Sequence, residues 1–262
     1  MLEHREGQVM RVQAVLLDIG GVLLDGDEPL PGARDALERL RAANLPFLLL
    51  TNTTRAARAA LWARLDAAGL TVRQDQLLTP SVLAQAWLAR EQHRPMLLVH
   101  PGLRADFATV DEAQPNAVVV GDAGDGFSYA ALNAAFRLLM RGAPLLSLSG
   151  SRYFREGGEL FMDAGPFVRL LEAAAGCEAV QMGKPGATFF HHAVECLGVP
   201  LASVRMIGDD VESDVRGAHE AGLQATLVQT GKYHAGDERR LPAGACMALN
   251  VLEAVERIVA GD

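Results

Sequence analysis

The sequence predicts an α/β fold in which helices cover a parallel sheet and a second α/β domain is inserted. Short apolar runs alternate along the chain with segments whose apolar residues recur at helical spacing, a pattern typical of such sheets. The run QAVLLDIGGVLLD, at 13–25, indicates a buried central strand that ends at a carboxylate and a glycine-rich turn. A separate block of strands and helices between 80 and 182 predicts the inserted domain, with 1–79 and 183–262 forming the main one.

Composition excludes several classes of protein. The chain has 262 residues, half of them apolar, which is enough for a full core. Its net charge is −8, with 24 Lys and Arg against 32 Asp and Glu, and it has no basic run of the kind that nucleic-acid binding needs. The polar segment 1–11 lacks the apolar stretch of a signal peptide, and no 18-residue apolar run follows. We therefore expect a soluble, cytoplasmic protein with no nucleic-acid or membrane partner.

The three cysteines favour a reducing compartment. Cys177, Cys196 and Cys246 lie far apart and form no C-x-x-C pair. We interpret all three as small core residues.

Three polar segments follow predicted strands of the main domain. Asp18 ends the first strand. An aspartate at this position is either a functional residue at the sheet edge, where such folds bind ligands, or a structural residue that caps a turn. The strand at 47–50 ends in Thr51-Asn52-Thr53-Thr54 before a helical segment, which suits helix capping or oxyanion binding. The strand at 204–207 ends in a cluster, GDDVESD at 208–214, whose negative charge favours a bound cation, although a turn and an N-capped helix would use the same residues.

Lys184 is a fourth polar residue at a helix entry. It lies between Gly183 and Pro185, ahead of a helix predicted at 188–197. The constrained turn points the ammonium in one direction, whereas an isolated lysine is more often a solvated surface residue. His191 and His192 on that helix lack the spacing of metal ligands, so we interpret them as packing or surface residues.

The inserted block contributes two glycine-rich loops. Strands are predicted at 96–99, 117–120 and 145–148, and helices at 81–92, 128–141 and 166–175. The loop GDAGDG, at 121–126, lacks the glycine order of a dinucleotide-binding turn. In the loop at 149–158, the candidates for substrate contact are Arg152, Tyr153, Phe154 and Arg155, with an exposed loop tip as the alternative for each.

Together these residues predict phosphoryl transfer. If the strands are parallel, Asp18, Thr51, Lys184 and Asp209 meet at one edge of the sheet. They supply a carboxylate nucleophile, a hydroxyl donor, a fixed cation and a second carboxylate for a divalent metal. Mg²⁺ is the expected metal, because only hard oxygen ligands are available.

These motifs resemble those of the haloacid dehalogenase superfamily of phosphatases. Four occur in order, as DIGGVL at Asp18, LLTNTT at Thr51, GKP at Lys184 and GDDVESD at Asp209. The resemblance covers the chain from Val12 to Ala260 and implies a Rossmann-like core with an inserted α/β cap. Within the superfamily, the chain is similar to the NagD-like subgroup and most of all to the phospholysine phosphohistidine inorganic pyrophosphate phosphatases.

The resemblance implies a role for each site residue. Asp18 is the nucleophile; Thr51, Asn52, Thr53 and Lys184 bind the phosphate; Asp18, the carbonyl of Gly20 and Asp209 bind Mg²⁺; Asp214 orients Lys184 or a metal-bound water; and Asp210 supports the ligands. It also implies a small phosphorylated substrate and a homodimer formed through the cap, with selectivity in the cap loops at 122–129 and 149–161.

Gly20 departs from the pattern of the superfamily. Most of its phosphatases carry an aspartate two residues after the nucleophile, which protonates the leaving group and then activates water. Such help is worth about 10²–10⁴-fold in rate. We therefore expect a preference for pyrophosphate, phosphoramidates, acyl phosphates or aryl phosphates, whose leaving groups need little proton assistance. Asp25 and Asp27 follow the turn and are candidates to replace the missing acid.

Two other functions stay open. A catalytically weak protein that binds phosphate for regulation would also explain Gly20. Hydrolytic dehalogenation is disfavoured, because it works without Mg²⁺ and has no need of the cluster at Asp209.

Overall fold

The computed structural model describes residues 10–156 and 159–261, which form two compact units. Unit 1 combines the two ends of the chain, up to Leu48 and from Ala193 onward, and unit 2 is Leu49–His192. Within the described residues the strands are β1, Ala14–Asp18; β2, Leu24–Asp25; β3, Glu28–Pro29; β4, Phe47–Leu50; β5, Leu77–Leu78; β6, Pro95–Leu98; β7, Ala117–Val120; β8, Leu145–Ser147; β9, Tyr153–Glu156; β10, Glu159–Met162; β11, Val180–Gln181; β12, Val204–Gly208; β13, Gln224–Val228; and β14, Cys246–Ala248. The α-helices of the same residues are α1, Ala33–Ala42; α2, Arg58–Ala67; α3, Pro80–Arg90; α4, Tyr129–Leu139; α5, Ala164–Ala175; α6, Ala187–Leu197; α7, Gly217–Glu220; and α8, Val251–Ala260.

Unit 1 is built on a parallel sheet with β1 at its centre. Its strands run in the order β14-β13-β12-β1, followed by the first two residues of β4, and the pairs from β1 to β14 are parallel. The apolar residues of β1, at 14–17, are all fully buried, as expected of a strand covered on both faces. Leu17 is in register with Ile207, so Asp18 at the end of β1 lies beside the end of β12. The sequence prediction of a central strand at this position is confirmed.

Helices α1 and α8 of unit 1 bury one face each. The buried residues of α8 recur at helical spacing, as Val251, Ala254, Val255 and Ile258. Asn250 caps this helix, because its side chain accepts a hydrogen bond from the amide of Glu253. Helix α1 begins directly after Gly32, which occupies its N-cap position.

Unit 2 contains a second parallel sheet. Its strands run in the order β11-β8-β7-β6, and α4 and α5 contribute to its apolar core. The strands and helices that the sequence predicts here are all present, with ends shifted by at most two residues. Leu49 and Leu50, at the end of β4, pair with β5 in the same unit. This architecture, two parallel-sheet α/β assemblies, confirms the predicted fold class.

The loop prediction at 149–158 is wrong, because part of it is a β-hairpin. Strands β9 and β10 are antiparallel, with Phe154 opposite Phe161. The two phenylalanine rings stack, with centroids 5.6 Å apart. A Gly-Gly pair between two short segments that contain aromatic residues, YFRE and ELFM, is a hairpin signal that the glycine-rich composition concealed. Gly157 and Gly158 themselves lie outside the described residues.

The cysteines are less buried than the sequence predicted. The interpretation of the cysteines as core residues is wrong for Cys196 and Cys246, which are exposed, and Cys177 is only half-buried. Cys246 begins β14, an edge strand of the sheet, where burial is incomplete.

Among the described residues, no helix has the length and apolar character to cross a membrane. The insertion boundaries at 80 and 182 remain a prediction.

Candidate active site

Three buried aspartates of unit 1 lie together. Asp18 ends β1, while Asp209 and Asp214 follow β12. One carboxylate oxygen from each lies within 4.8 Å of the other two. Parallel pairing of β1 and β12 brings the residues to one sheet edge, as the sequence predicted.

Asp209 is the most constrained of the three. It is 2% exposed, and its Oδ2 accepts a hydrogen bond of 2.8 Å from the backbone N–H of Lys232. Its Oδ1 is buried and has no hydrogen-bond partner among the described residues. Burial raises the pKa of Asp209 to about 7, and the charges of Asp18 and Asp214 act in the same direction. The amide and the ammonium of Lys232 lower the pKa of Asp209, but they do not offset this effect.

Asp210 and Asp214 shape the segment after β12. The Oδ1 atom of Asp210 accepts hydrogen bonds from the amides of Glu212 and Ser213 and so caps a π-helical segment, Val211–Arg216. Burial alone would raise the pKa of Asp210, but the Ser213 amide and the Lys232 ammonium outweigh it and lower that pKa. The backbone N–H of Asp210 also donates to Oδ2 of Asp214, at 3.2 Å.

This arrangement fits a divalent cation. Carboxylate oxygens are the ligands that Mg²⁺ prefers, and a buried carboxylate oxygen without a hydrogen-bond donor is strongly destabilising unless a cation compensates it. Asp209 Oδ1 is such an atom. Asp18 and Asp209 would hold the ion, which would neutralise phosphate oxygens as they gain charge.

Gly20 lies in the turn between β1 and β2. The N–H of Gly21 donates to the carbonyl of Leu24 at 2.7 Å, which closes this turn. A Cβ atom built on Gly20 would meet nothing within 4 Å, so the backbone leaves room for a side chain there. Asp25 and Asp27 are both exposed in the β2–β3 hairpin, and their proposed acid role stays a prediction.

In unit 2, Thr51 and Thr53 form a local hydroxyl cluster after β4. The hydroxyl of Thr51 donates to that of Thr53 at 2.9 Å and accepts from the Thr53 amide at 3.1 Å. Thr51 is buried. This Ser/Thr-type turn fixes the hydroxyl direction at the strand end.

Asn52 and Lys184 are joined within unit 2 although 132 residues separate them. Asn52 Oδ1 accepts from the Lys184 amide at 2.8 Å, and its Nδ2 donates to the Lys184 carbonyl at 2.7 Å. A Cβ atom on Gly183 would lie 2.8 Å from Asn52 Oδ1, so this close approach requires glycine. Lys184 itself is 4% exposed, which contradicts the alternative of a solvated surface lysine.

Unit 2 also contains a polar cluster that sequence reasoning did not identify. Arg55, directly after the threonine-rich segment, forms an ion pair of 3.2 Å with buried Asp122. Its guanidinium lies 4.8 Å from the centroid of the Phe154 ring, a cation–π distance. Buried Asp163 accepts a hydrogen bond from Ser149, and burial raises the pKa of Asp163.

The four candidates for substrate contact lie on or next to the hairpin. Arg152 precedes β9, and its guanidinium lies 5.8 Å from the ring centroid of Tyr153. Tyr153 is exposed, whereas Phe154 is half-buried and contacts Arg55. Arg155 is on β9.

The sequence is similar to those of known hydrolases. Residues 15–112 match the profile of a family described as haloacid dehalogenase-like hydrolase, and 181–254 match a second profile of hydrolases of that type. The human haloacid dehalogenase-like hydrolase domain-containing protein 2 is 41% identical over 230 residues, 88% of this chain and 89% of that protein. The phospholysine phosphohistidine inorganic pyrophosphate phosphatase of Bos taurus is 41% identical over 233 residues, 87% of this chain and 86% of that protein.

Solved structures share the fold. A 4-nitrophenylphosphatase from Thermotoga maritima superposes with a TM-score of 0.85 at 25% identity, covering 94% of this chain and 97% of that chain. NagD from E. coli K-12 superposes with a TM-score of 0.82 at 22% identity, covering 93% of this chain and 98% of that chain. The chain therefore belongs to the haloacid dehalogenase-like hydrolases. Its fold is that of the NagD-like members, a Rossmann-like parallel-sheet core with a cap.

Replacement of Asp209 by Asn should stabilise the metal-free protein. The substitution removes one of three mutually repelling buried charges, and we expect the free energy of unfolding to rise by about 1–3 kcal/mol. Urea unfolding in the presence of a chelator measures this change. Asp35→Asn, on the exposed face of α1, is the matched control and should change stability by less than about 0.5 kcal/mol. A loss of stability in Asp209→Asn would contradict the assignment of charge repulsion to this site.

Proposed function

We propose that this phosphatase is a Mg²⁺-dependent phosphohydrolase that forms an aspartyl-phosphate on Asp18. The observation that carries the proposal is the buried carboxylate cluster of Asp18, Asp209 and Asp214, whose ligand atoms lie within 4.8 Å of one another. The expected substrate is a small phosphorylated compound.

Asp18 is the residue of the cluster best placed to be the nucleophile. It is the last residue of the central strand and remains 8% exposed, whereas Asp209 and Asp214 are 2% and 1% exposed. In the proposed first step, a carboxylate oxygen of Asp18 forms a bond to phosphorus and the bond from phosphorus to the leaving group breaks. In the second step, water attacks the same phosphorus, releases inorganic phosphate and restores the carboxylate.

The residues of unit 2 are proposed to bind the phosphate oxygens. The Thr51 and Thr53 hydroxyls and the Lys184 ammonium are the donors, and Lys184 offsets negative charge. Because the Asn52 side chain is hydrogen-bonded to the Lys184 backbone, we assign it the additional role of positioning that lysine. Contact of Asn52 with phosphate would then use its backbone N–H.

Asp210 and Asp214 are proposed to support the metal ligands. Asp210 caps the segment after β12 and thereby fixes the backbone that carries Asp209. Asp214 is 1% exposed, and its carboxylate, the third of the cluster, accepts a hydrogen bond from the Asp210 amide. We propose that this charge orients Lys184 or a water molecule in the site.

Gly20 is proposed to restrict the substrates to those with good leaving groups. No carboxylate is present at this position to protonate a poor leaving group such as an alkoxide. The leaving groups of pyrophosphate, phosphoramidates and aryl phosphates depart without that help. Two relatives with 39–41% identity are named for phospholysine, phosphohistidine and inorganic pyrophosphate, which supports this substrate class.

The same glycine favours one alternative function, a phosphate-binding or regulatory protein with weak turnover. The two functions differ in how the protein should respond to Gly20→Asp. A phosphatase should gain activity on alkyl phosphates, whereas a binding protein should not. The homodimer through the cap and the cytoplasmic location stay predictions.

Asp18→Asn should abolish phosphate release. We expect at least a 10³-fold loss on p-nitrophenyl phosphate and pyrophosphate, because the amide is a poor nucleophile, and a comparable loss of wild-type activity with chelator. Steady-state phosphate release with and without Mg²⁺ measures both effects. Asp35→Asn is the control and should retain wild-type rates. Equal rates for Asp18→Asn and the control would refute the nucleophile assignment.

Gly20→Asp should extend the activity to alkyl phosphates. Its Cβ meets nothing within 4 Å, so the new carboxylate can be accommodated. We expect a gain of about 10²-fold or more in kcat/KM on a sugar phosphate, with a smaller gain on pyrophosphate. Gly20→Asn has nearly the same size without the acid and should show no such gain. Wild-type turnover near zero on every substrate, with no gain in Gly20→Asp, would favour the binding protein instead.

A further inference from the structure

The turn after β13 packs against the carboxylate cluster, although no sequence motif pointed to it. Three of its residues, Thr230, Gly231 and Lys232, contact the turn that contains Gly21 and the side chain of Asp209. We refer to these three residues and Gly21 as the clamp. All four belong to unit 1.

The clamp is closely packed around one carboxylate oxygen. A Cβ atom on Gly21 would lie 1.9 Å from Asp209 Oδ2, and one on Gly231 would lie 2.0 Å from the same atom and 2.5 Å from the Cα of Gly21. Both glycines have positive φ, at +79° and +60°. Only residues without a Cβ allow the two backbones to approach Asp209 from both sides.

Two hydrogen bonds close the clamp. The Thr230 hydroxyl donates to the carbonyl of Gly21 at 2.5 Å, and the Lys232 N–H donates to Asp209 Oδ2 at 2.8 Å. The first bond joins the turn after β13 to the turn after β1. The second fixes the rotation of the Asp209 carboxylate, so that Oδ1 is the oxygen left without a hydrogen-bond donor among the described residues.

The clamp also acts on the peptide of Gly20. The Gly21 N–H is directed to the Leu24 carbonyl at 2.7 Å, and in a trans peptide the preceding C=O points the opposite way. The direction of the Gly20 carbonyl is therefore set by the turn. The Thr230 bond holds the next carbonyl, that of Gly21, so both peptides next to Gly21 are fixed.

We propose that the clamp is the positioning element of the metal site, and that Thr230, Gly231 and Lys232 set the affinity for Mg²⁺ without binding it. This inference rests on the proposed function. The clamp directs Asp209 Oδ1 and the Gly20 carbonyl before a cation arrives, which reduces the ordering that binding would otherwise require.

The backbone of Lys232 should matter more than its side chain. The ammonium forms an ion pair of 3.1 Å with Asp210 Oδ2, but 70% of the Lys232 side chain is exposed, and exposed pairs contribute little. The N–H that holds Asp209 survives any side-chain replacement except proline. Lys232→Met should thus change the affinity for Mg²⁺ by less than about threefold.

Calorimetric titration of the metal-free protein with Mg²⁺ tests the proposal. Thr230→Val removes the hydroxyl with little change in size and should weaken Mg²⁺ binding about fivefold to tenfold, the effect of one hydrogen bond, while Thr230→Ser should bind as the wild type does. Gly231→Ala should weaken binding by more than about tenfold. Gly198→Ala is its matched control, because Gly198 has φ of +67° and no atom within 4 Å of a built Cβ.

The outcomes separate this inference from the function on which it rests. Weaker Mg²⁺ binding in Thr230→Val and Gly231→Ala, with Thr230→Ser and Gly198→Ala like the wild type, supports the clamp. Wild-type affinity for Mg²⁺ in every variant overturns the clamp and leaves the proposed Mg²⁺ site standing. An equal loss of Mg²⁺ affinity in Gly198→Ala and Gly231→Ala has the same meaning. No Mg²⁺ binding by the wild type overturns both. If Gly231→Ala fails to fold, shown by a lost thermal transition, the Thr230 pair decides alone.

Discussion

The repulsion among three buried carboxylates is the constraint on which the rest of the site depends. One carboxylate oxygen each from Asp18, Asp209 and Asp214 lies within 4.8 Å of the other two, and all three side chains are buried. Such an arrangement is unfavourable for folding, because burial first and the charges of Asp18 and Asp214 second raise the pKa of Asp209 to about 7. The same arrangement supplies closely spaced carboxylate oxygens, the ligand type that we propose for Mg²⁺. Folding stability is lower at this site, where the proposed chemistry needs several negative charges close together.

The fold holds the charges together with backbone groups. The parallel register of β1 and β12 fixes Asp18 beside Gly208, and a Cβ on that glycine would lie 2.2 Å from Asp214. Asp210 then caps the segment that follows, and the Lys232 amide holds Asp209. Backbone amides and glycines position the carboxylates without adding side chains that would occupy the site. In unit 2, the two hydrogen bonds of Asn52 fix the Lys184 backbone in a comparable way.

The sequence predicted the features that depend on local patterns. Buried strands appear as apolar runs, and Asp18 and Asp209 stand out because each follows such a run directly. The Thr230-Gly231-Lys232 turn follows β13 in the same way, but a threonine, a glycine and a lysine are ordinary turn residues. Their importance arises from contact with Gly21, about 210 positions away in the chain, and with Asp209. One sequence carries no signal for contacts of that kind.

The other differences have similar causes. The pairing of Asn52 with Lys184 spans 132 residues, and the ion pair of Arg55 with Asp122 is also remote in sequence. The β9–β10 hairpin was missed because its Gly-Gly pair was interpreted as part of a loop. The burial of Cys196 was overestimated because residue type predicts burial only on average, whereas the helix face decides it.

Detection of phosphate on Asp18 during turnover tests the central claim most directly. Because Gly20 supplies no carboxylate to activate water, the aspartyl-phosphate should be hydrolysed slowly and accumulate. Acid-quenched protein, digested and analysed by mass spectrometry, should carry a phosphate on Asp18 when substrate and Mg²⁺ are present and should lose it after the substrate is exhausted. Phosphate release without any phosphate on Asp18, or with phosphate on another residue, would contradict it.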